Sequence, residues 1–193
     1  MKRITIFCGS SMGNKAIFKN TTDTLGKALV KRNIELVYGG AKVGIMGAIA
    51  DAVLAEGGKA IGVLPAFLQQ KELAHEGLTD LILVDTMHER KATMNKLCDG
   101  VLALPGGFGT LEELFEMLTW GQLGLHKKPV GILNIDGFYD SLNVLMQTMV
   151  DNGFLKTSNR EMLLTDDNIE AILDKMENYK APEVAKWLAP GAV

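Results

Sequence analysis

The stretch LALPGGFGTLEELFE, Leu102 to Glu116, decides how this chain is read. The apolar run Val101 to Leu104 has the length and composition of a strand buried on both faces. Pro105-Gly106-Gly107-Phe108-Gly109 then makes a tight glycine loop, and Thr110 is expected to open an amphipathic helix carrying Glu112, Glu113 and Glu116. Strand, glycine loop and helix in that order build an anion site. Glycines let backbone N–H groups approach a phosphate, and the unpaired N–H groups and positive dipole end of the helix hold its charge.

Outward from this stretch, apolar runs alternate with helical patterns. Strands are predicted at Ile4–Cys8, Glu35–Tyr38, Ala60–Leu64, Leu81–Val84, Val101–Leu104 and Val130–Asn134. Helices are predicted near Lys15–Lys31, Ile45–Glu56, His88–Leu97, Thr110–Leu123, Tyr139–Asn152 and Asp167–Glu177. The alternation predicts an α/β fold, a mostly parallel sheet with helices on both faces. The reading places a single domain over residues 1–180 and a C-terminal tail over 181–193, which Trp187 could dock.

In such sheets ligands sit beyond the carboxyl ends of the strands, so the loops there are read together. Gly9-Ser10-Ser11-Met12-Gly13 follows the first strand, Gly39-Gly40-Ala41-Lys42-Val43-Gly44 the second, and Pro105 to Gly109 the fifth. Their convergence would make a nucleotide-sized polar crevice. The first loop lacks G-x-G-x-x-G, and no G-x-x-x-x-G-K-[ST] occurs, which disfavours hydride transfer and NTP hydrolysis.

Composition narrows the classes further. The chain has 193 residues, 47% of them hydrophobic, enough for a sizeable core. A net charge of −3 without a polybasic run gives no reason for nucleic-acid binding. No apolar run approaches the roughly 20 residues of a membrane span, and the amino end is too brief for a signal peptide. Two isolated cysteines, Cys8 and Cys98, suit a reduced, cytoplasmic protein. Three histidines outside any Cys/His cluster leave metal ligation without a candidate.

Several side chains could carry chemistry, each with a plainer role beside it. Thr110-Leu111-Glu112-Glu113 fits a capping box, which would engage Glu113 with its own helix start. Leu111, Leu114, Phe115 and Leu118 form the sheet-facing stripe, and Glu113 points nearly opposite, among Glu116, Met117 and Trp120. That outward face reads as a partner surface, with Glu113 in a cleft between two subunits. Arg90 and Lys91 follow the fourth strand and could meet a phosphate, or simply belong to a solvated helix face. Glu72 and Glu76 lie in a polar segment long enough to cover a site. Thr119 lies about two turns beyond Glu113. Cys8 reads as a core residue, and His88 as a lone acid or base candidate.

PGGFGTLEE (Pro105 to Glu113) and MHERK (Met87 to Lys91) together resemble the P-G-G-x-G-T-x-x-E and M-x-x-R-K signatures of the lonely-guy (LOG) family of cytokinin-activating phosphoribohydrolases. FCGSS, VYGGAKVGIMG and LTWGQLGLHKKPVG extend the similarity to about Leu164. Members were long labelled lysine decarboxylases, but the chain shows no pyridoxal-phosphate lysine context. The resemblance implies a Rossmann-like homodimer that hydrolyses the N-glycosidic bond of AMP or an N6-substituted AMP to free base and ribose 5-phosphate, without metal or cofactor.

By motif position, the resemblance makes Arg90 and Glu113 the catalytic pair and Gly107 to Thr110 the phosphate cradle. Lys91, Glu72 and Thr119 become substrate contacts, and Gly9, Ser10, Gly40 and Gly106 supply the remaining small-residue walls. Molybdenum-cofactor carriers resemble the same fold and share a related glycine loop. A carrier that binds without hydrolysing is therefore the alternative.

Overall fold

The computed structural model describes residues 1–69 and 74–182. Glu72, expected at the site, and Trp187, expected to dock the tail, lie outside the described residues. The elements in order are β1 (Arg3–Phe7), α1 (Ala16–Lys31), β2 (Glu35–Tyr38), α2 (Gly44–Ala55), β3 (Ala60–Pro65), α3 (Ala66–Gln69), β4 (Asp80–Val84) and α4 (Met87–Leu97). There follow β5 (Gly100–Ala103), α5 (Phe108–Gln122), β6 (Val130–Leu133), a 3-10 turn (Ile135–Gly137), α6 (Asp140–Asp151), α7 (Thr157–Arg160), β7 (Leu163–Asp166) and α8 (Ile169–Glu177). No helix among the described residues is long and apolar enough to cross a membrane.

The strands form one seven-stranded sheet in the order β4-β3-β2-β1-β5-β6-β7, and every pairing is parallel. The fold is therefore the expected α/β, Rossmann-like arrangement. Alternate residues feed two cores. Ile4, Ile6, Cys8, Leu36, Tyr38 and Leu102 pack with Leu25 and Leu29 of α1, Ile45 and Ile49 of α2, and Ile172 and Leu173 of α8. Phe7, Val37, Val101 and Ala103 face the other way, against Met94 of α4 and Leu114, Met117 and Leu118 of α5. Each fully buried leucine or isoleucine contributes about 1.5–3 kcal/mol through removal from water. Gly26 lets α1 close on α2: a Cβ there would lie 2.5 Å from the Ala52 Cβ.

The strand β7 was not among the sequence predictions. Its LLTD run is short and only its first residue is buried, so it lacks the double-sided apolar signature of the interior strands. The four-residue helices α3 and α7 likewise offer no full period of pattern.

The strand order reverses at β1, which lies between β2 and β5. The chain leaves β1 toward one edge and returns through α4 to start the other half. A crevice opens where loops diverge from such a switch point.

Candidate active site

The loops after β1, β2 and β5 do converge. They enclose a crevice of about 240 Å³ lined by Ile6, Phe7, Cys8, Gly9, Ser10, Gly39, Met46, Arg90, Gly107, Phe108, Gly109, Thr110 and Glu113. The Gly9 N–H donates to the Pro105 carbonyl at 3.1 Å, tying the first loop to the fifth. The Tyr139 hydroxyl donates to the Leu104 carbonyl at 2.6 Å, holding the end of β5 from behind.

The helix α5 begins at Phe108, two residues ahead of the expected Thr110, with Gly107 as N-cap and no side-chain cap. The capping-box reading of Thr110 and Glu113 is therefore corrected: Thr110 sits inside the first turn, and Glu113 is one turn further on. The first-turn N–H groups of Phe108, Gly109 and Thr110 have no intrahelical acceptor, and all three residues line the crevice. A Cβ on Gly107 or Gly109 would meet nothing within 4 Å, so a ligand has open access to this backbone. Gly106 differs. A side chain there would strike the Thr110 Oγ1 at 2.1 Å and the Gly9 nitrogen at 2.9 Å, so its role is close packing behind the loop.

Glu113 faces inward, not outward as expected. Its Oε1 lies 3.3 Å from Nη1 of Arg90, with the two side chains 10% and 11% exposed respectively. Met117, assigned by sequence to the same outward face, is buried in the second core, while Glu116 and Trp120 are half-buried. Burial pushes the Glu113 carboxyl from its usual value up to about 7; Arg90 opposes this, and Glu112 adds to it. Glu113 therefore exchanges a proton near neutrality while remaining paired with a cation.

Arg90 is not on a solvated face. The helix α4 starts with a capping box, in which the Thr86 hydroxyl accepts from the Glu89 N–H at 3.1 Å and the Glu89 carboxylate accepts from the Thr86 N–H at 3.3 Å. From its first turn, Arg90 Nε donates to the Val63 carbonyl at 3.1 Å. Its Nη2 occupies the space beside Gly39, where a Cβ would approach to 2.1 Å. Gly39 was not singled out by sequence, because nothing in a Gly-Gly pair says which one faces the site. Met46 was missed for a similar reason, as one more apolar residue opening α2.

The other expected contacts are distributed differently. Gly40 turns the chain with φ +77° and packs toward Leu64 and Leu81, leaving Gly39 to line the crevice. Lys91 is buried, but its Nζ donates to Glu112 and Glu116 at 2.5 and 3.0 Å, outside the crevice lining. Thr119 is exposed and donates to the Phe115 carbonyl at 2.7 Å. Glu76 and His88 are exposed. Cys8 lines the crevice, yet burial and then Glu113 push its thiol far above the usual range, so it is no thiolate nucleophile.

A family model described as "Possible lysine decarboxylase" matches residues 46–176. The Arabidopsis thaliana cytokinin riboside 5'-monophosphate phosphoribohydrolase LOG2 is 47% identical over 92% of this chain and 84% of its own. The chain belongs to the LOG family. LOG1 of the same plant, which carries the same enzyme name, is 46% identical over 92% of this chain and 84% of its own. Among solved structures, a molybdenum cofactor carrier protein from Chlamydomonas reinhardtii superposes with a TM-score of 0.68 at 20% identity, over 91% of this chain and 96% of that one. A molybdenum cofactor binding protein from Rippkaea orientalis gives 0.68 at 20% identity, over 91% and 94%. At that identity the likeness to both carriers is one of fold.

Proposed function

We propose that the crevice binds a nucleoside 5'-monophosphate and hydrolyses its N-glycosidic bond, with N6-substituted AMP of the cytokinin type and AMP itself as the substrates. The observation that carries this reading is the buried Arg90–Glu113 pair, one helical turn from an open glycine-lined helix N-terminus. The enzyme name shared by the plant relatives supports the same substrate class.

In this reading the phosphate sits on the backbone N–H groups of Gly107 to Thr110, placing the ribose over Glu113. Departure of the base leaves positive charge at C1′, which the Glu113 carboxylate stabilises. The bond from C1′ to the base nitrogen breaks, and a bond from C1′ to a water oxygen forms. Glu113 takes one proton from that water and gives it up again, directly or through solvent, as the departing base nitrogen gains one. Water thus supplies both the oxygen on C1′ and the proton on the base, and Glu113 ends the turnover ionised. Arg90 restrains Glu113 and offsets negative charge on the nucleotide. Such a carboxyl, titrating near 7, can take up and return a proton in each turnover.

The proposal includes a homodimer in the cytoplasm. Exposed Met87 and Phe108 at the starts of α4 and α5, the helices that bear the pair, supply apolar surface for a partner copy. Light scattering on the purified protein reads its mass directly. The function is tested by incubation with AMP, isopentenyl-AMP and other monophosphates, with free base and ribose 5-phosphate as readouts. Release of both in equal amounts is expected. Binding without release from any of them would replace hydrolysis with the carrier role.

A further inference from the structure

Next to the Arg90–Glu113 pair stands a second set of charges that the proposed chemistry does not use. Lys91 follows Arg90 on α4, yet its side chain is only 7% exposed and its Nζ reaches Glu112 at 2.5 Å and Glu116 at 3.0 Å, both on α5. Glu112 precedes Glu113 in the chain, and Glu116 lies one turn further along the helix. One buried ammonium therefore bridges the two carboxylates that flank Glu113, on the two helices that supply the catalytic pair. Two hydrogen bonds to carboxylates raise the proton affinity of Lys91 against the opposing effect of burial, so it remains a cation.

We propose that Lys91 is a positioning residue: by bridging Glu112 and Glu116 it locks α4 to α5 and sets the charge around Glu113, without touching the nucleotide. The inference rests on the hydrolytic reading of the site. The charged and titratable groups facing Glu113 are Arg90 and Lys91 from α4, Glu112 and Glu116 from its own helix, and the Cys8 thiol from the end of β1. Arg90 and Lys91 favour the ionised form of Glu113, while Glu112 and Glu116 oppose it. Removing Lys91 alone leaves two uncompensated carboxylates beside a third. Removing Glu112 and Glu116 alone leaves an uncompensated cation. The two changes therefore act on Glu113 in opposite directions.

The test is a titration of the Glu113 side-chain carboxyl by carbon-13 NMR in the ligand-free protein, assigned with Glu113→Gln and repeated in three variants. Lys91→Met is expected to raise the Glu113 midpoint by about half a pH unit or more, and Glu112→Gln/Glu116→Gln to lower it by a similar amount. The triple variant is expected at or slightly below the wild-type midpoint. In turnover assays the acidic limb of the pH profile should follow the same order, with KM changed less than about threefold. A midpoint that none of the variants moves overturns the proposal. So does a KM raised about tenfold in Lys91→Met with the midpoint unmoved, which would make Lys91 a ligand contact. If Lys91→Met does not fold, the double glutamine variant decides alone, because an unchanged midpoint there is equally fatal. Failure of the wild type to hydrolyse any monophosphate overturns the functional reading, whereas the NMR titration still judges this one.

Discussion

Glu113 Oε1 and Arg90 Nη1 meet at 3.3 Å although their helices enter the sheet from opposite halves, α4 from the edge strand β4 and α5 from β5 beside the centre. The contact pairs a carboxyl that gains and loses its proton near neutrality with a cation fixed to the backbone of β3.

Replacing Glu113 with glutamine keeps its shape and hydrogen-bonding capacity but abolishes the charge and the proton exchange. Turnover is expected to fall about 10²–10⁴-fold, the usual contribution of a positioned acid or base. Calorimetric binding of AMP should survive within about tenfold. Near-normal release of adenine by Glu113→Gln would remove Glu113 from the chemistry.

Proton affinity gives a second expectation. In the proposed mechanism Glu113 acts in its ionised form, so kcat/KM should rise with pH through a midpoint of about 7 in the free enzyme. The sign for stability is opposite. The folded protein holds this proton more tightly than the unfolded chain, so the contribution of Glu113 is fully present below the ordinary value of 4.5 and is lost as pH rises through about 7, by on the order of 3 kcal/mol. Urea unfolding of wild type and Glu113→Gln at about pH 5 and about pH 8 isolates the effect, since the other groups cancel in the difference. A stability difference that is flat with pH would contradict the raised proton affinity.

Gly39→Ala tests the space beside the guanidinium. The new methyl would sit 2.1 Å from Arg90 Nη2, and the glycine is not in the left-handed region, so the strain falls on Arg90. Displacing Arg90 by about 1 Å should lower kcat/KM about 10–100-fold. The unfolding midpoint in urea should change little. Full activity in this variant would show that Arg90 has no fixed geometry to lose.

Arg90→Lys retains a positive charge but loses the planar fork and the Nε donor to the Val63 carbonyl. Activity is expected to remain more than about tenfold below wild type. Recovery to wild-type kcat with lysine would reduce the role of Arg90 to charge alone.

Sequence reasoning succeeded where burial imposes a pattern. Ile4 to Cys8 and Val101 to Leu104 are apolar at consecutive positions because both faces of a parallel sheet are covered, and this is visible without coordinates. The edge strand β7, half-exposed, carries no such imprint. The glycine loops were also legible, since glycines placed directly after β1, β2 and β5 leave bare backbone at one end of the sheet.

The side chains around that backbone were harder to place. The chain has two T-x-x-E segments, Thr86 to Glu89 and Thr110 to Glu113, with identical local signatures. In the first, Thr86 precedes the helix and the box closes. In the second, the helix has already begun at Phe108, and the same pattern instead delivers a carboxylate to the crevice. What separates them is where the helix starts, and a glycine N-cap without a capping side chain hides that start. Lys91 shows a similar limit. Its pairing with Glu112 and Glu116 depends on how α4 crosses α5, which local periodicity does not encode.

The connection from β4 through α4 to β5 returns the chain from the rim of the sheet to its middle, and Arg90 is pinned on the way to Val63 of β3. The Arg90–Glu113 distance thus works as a caliper across the molecule, one jaw on the β3 side and the other on the β5 side. A substitution deep in the β3–β4 half that touches no nucleotide would tilt one jaw. Its first symptom would be a displaced pH profile, appearing before any loss of affinity.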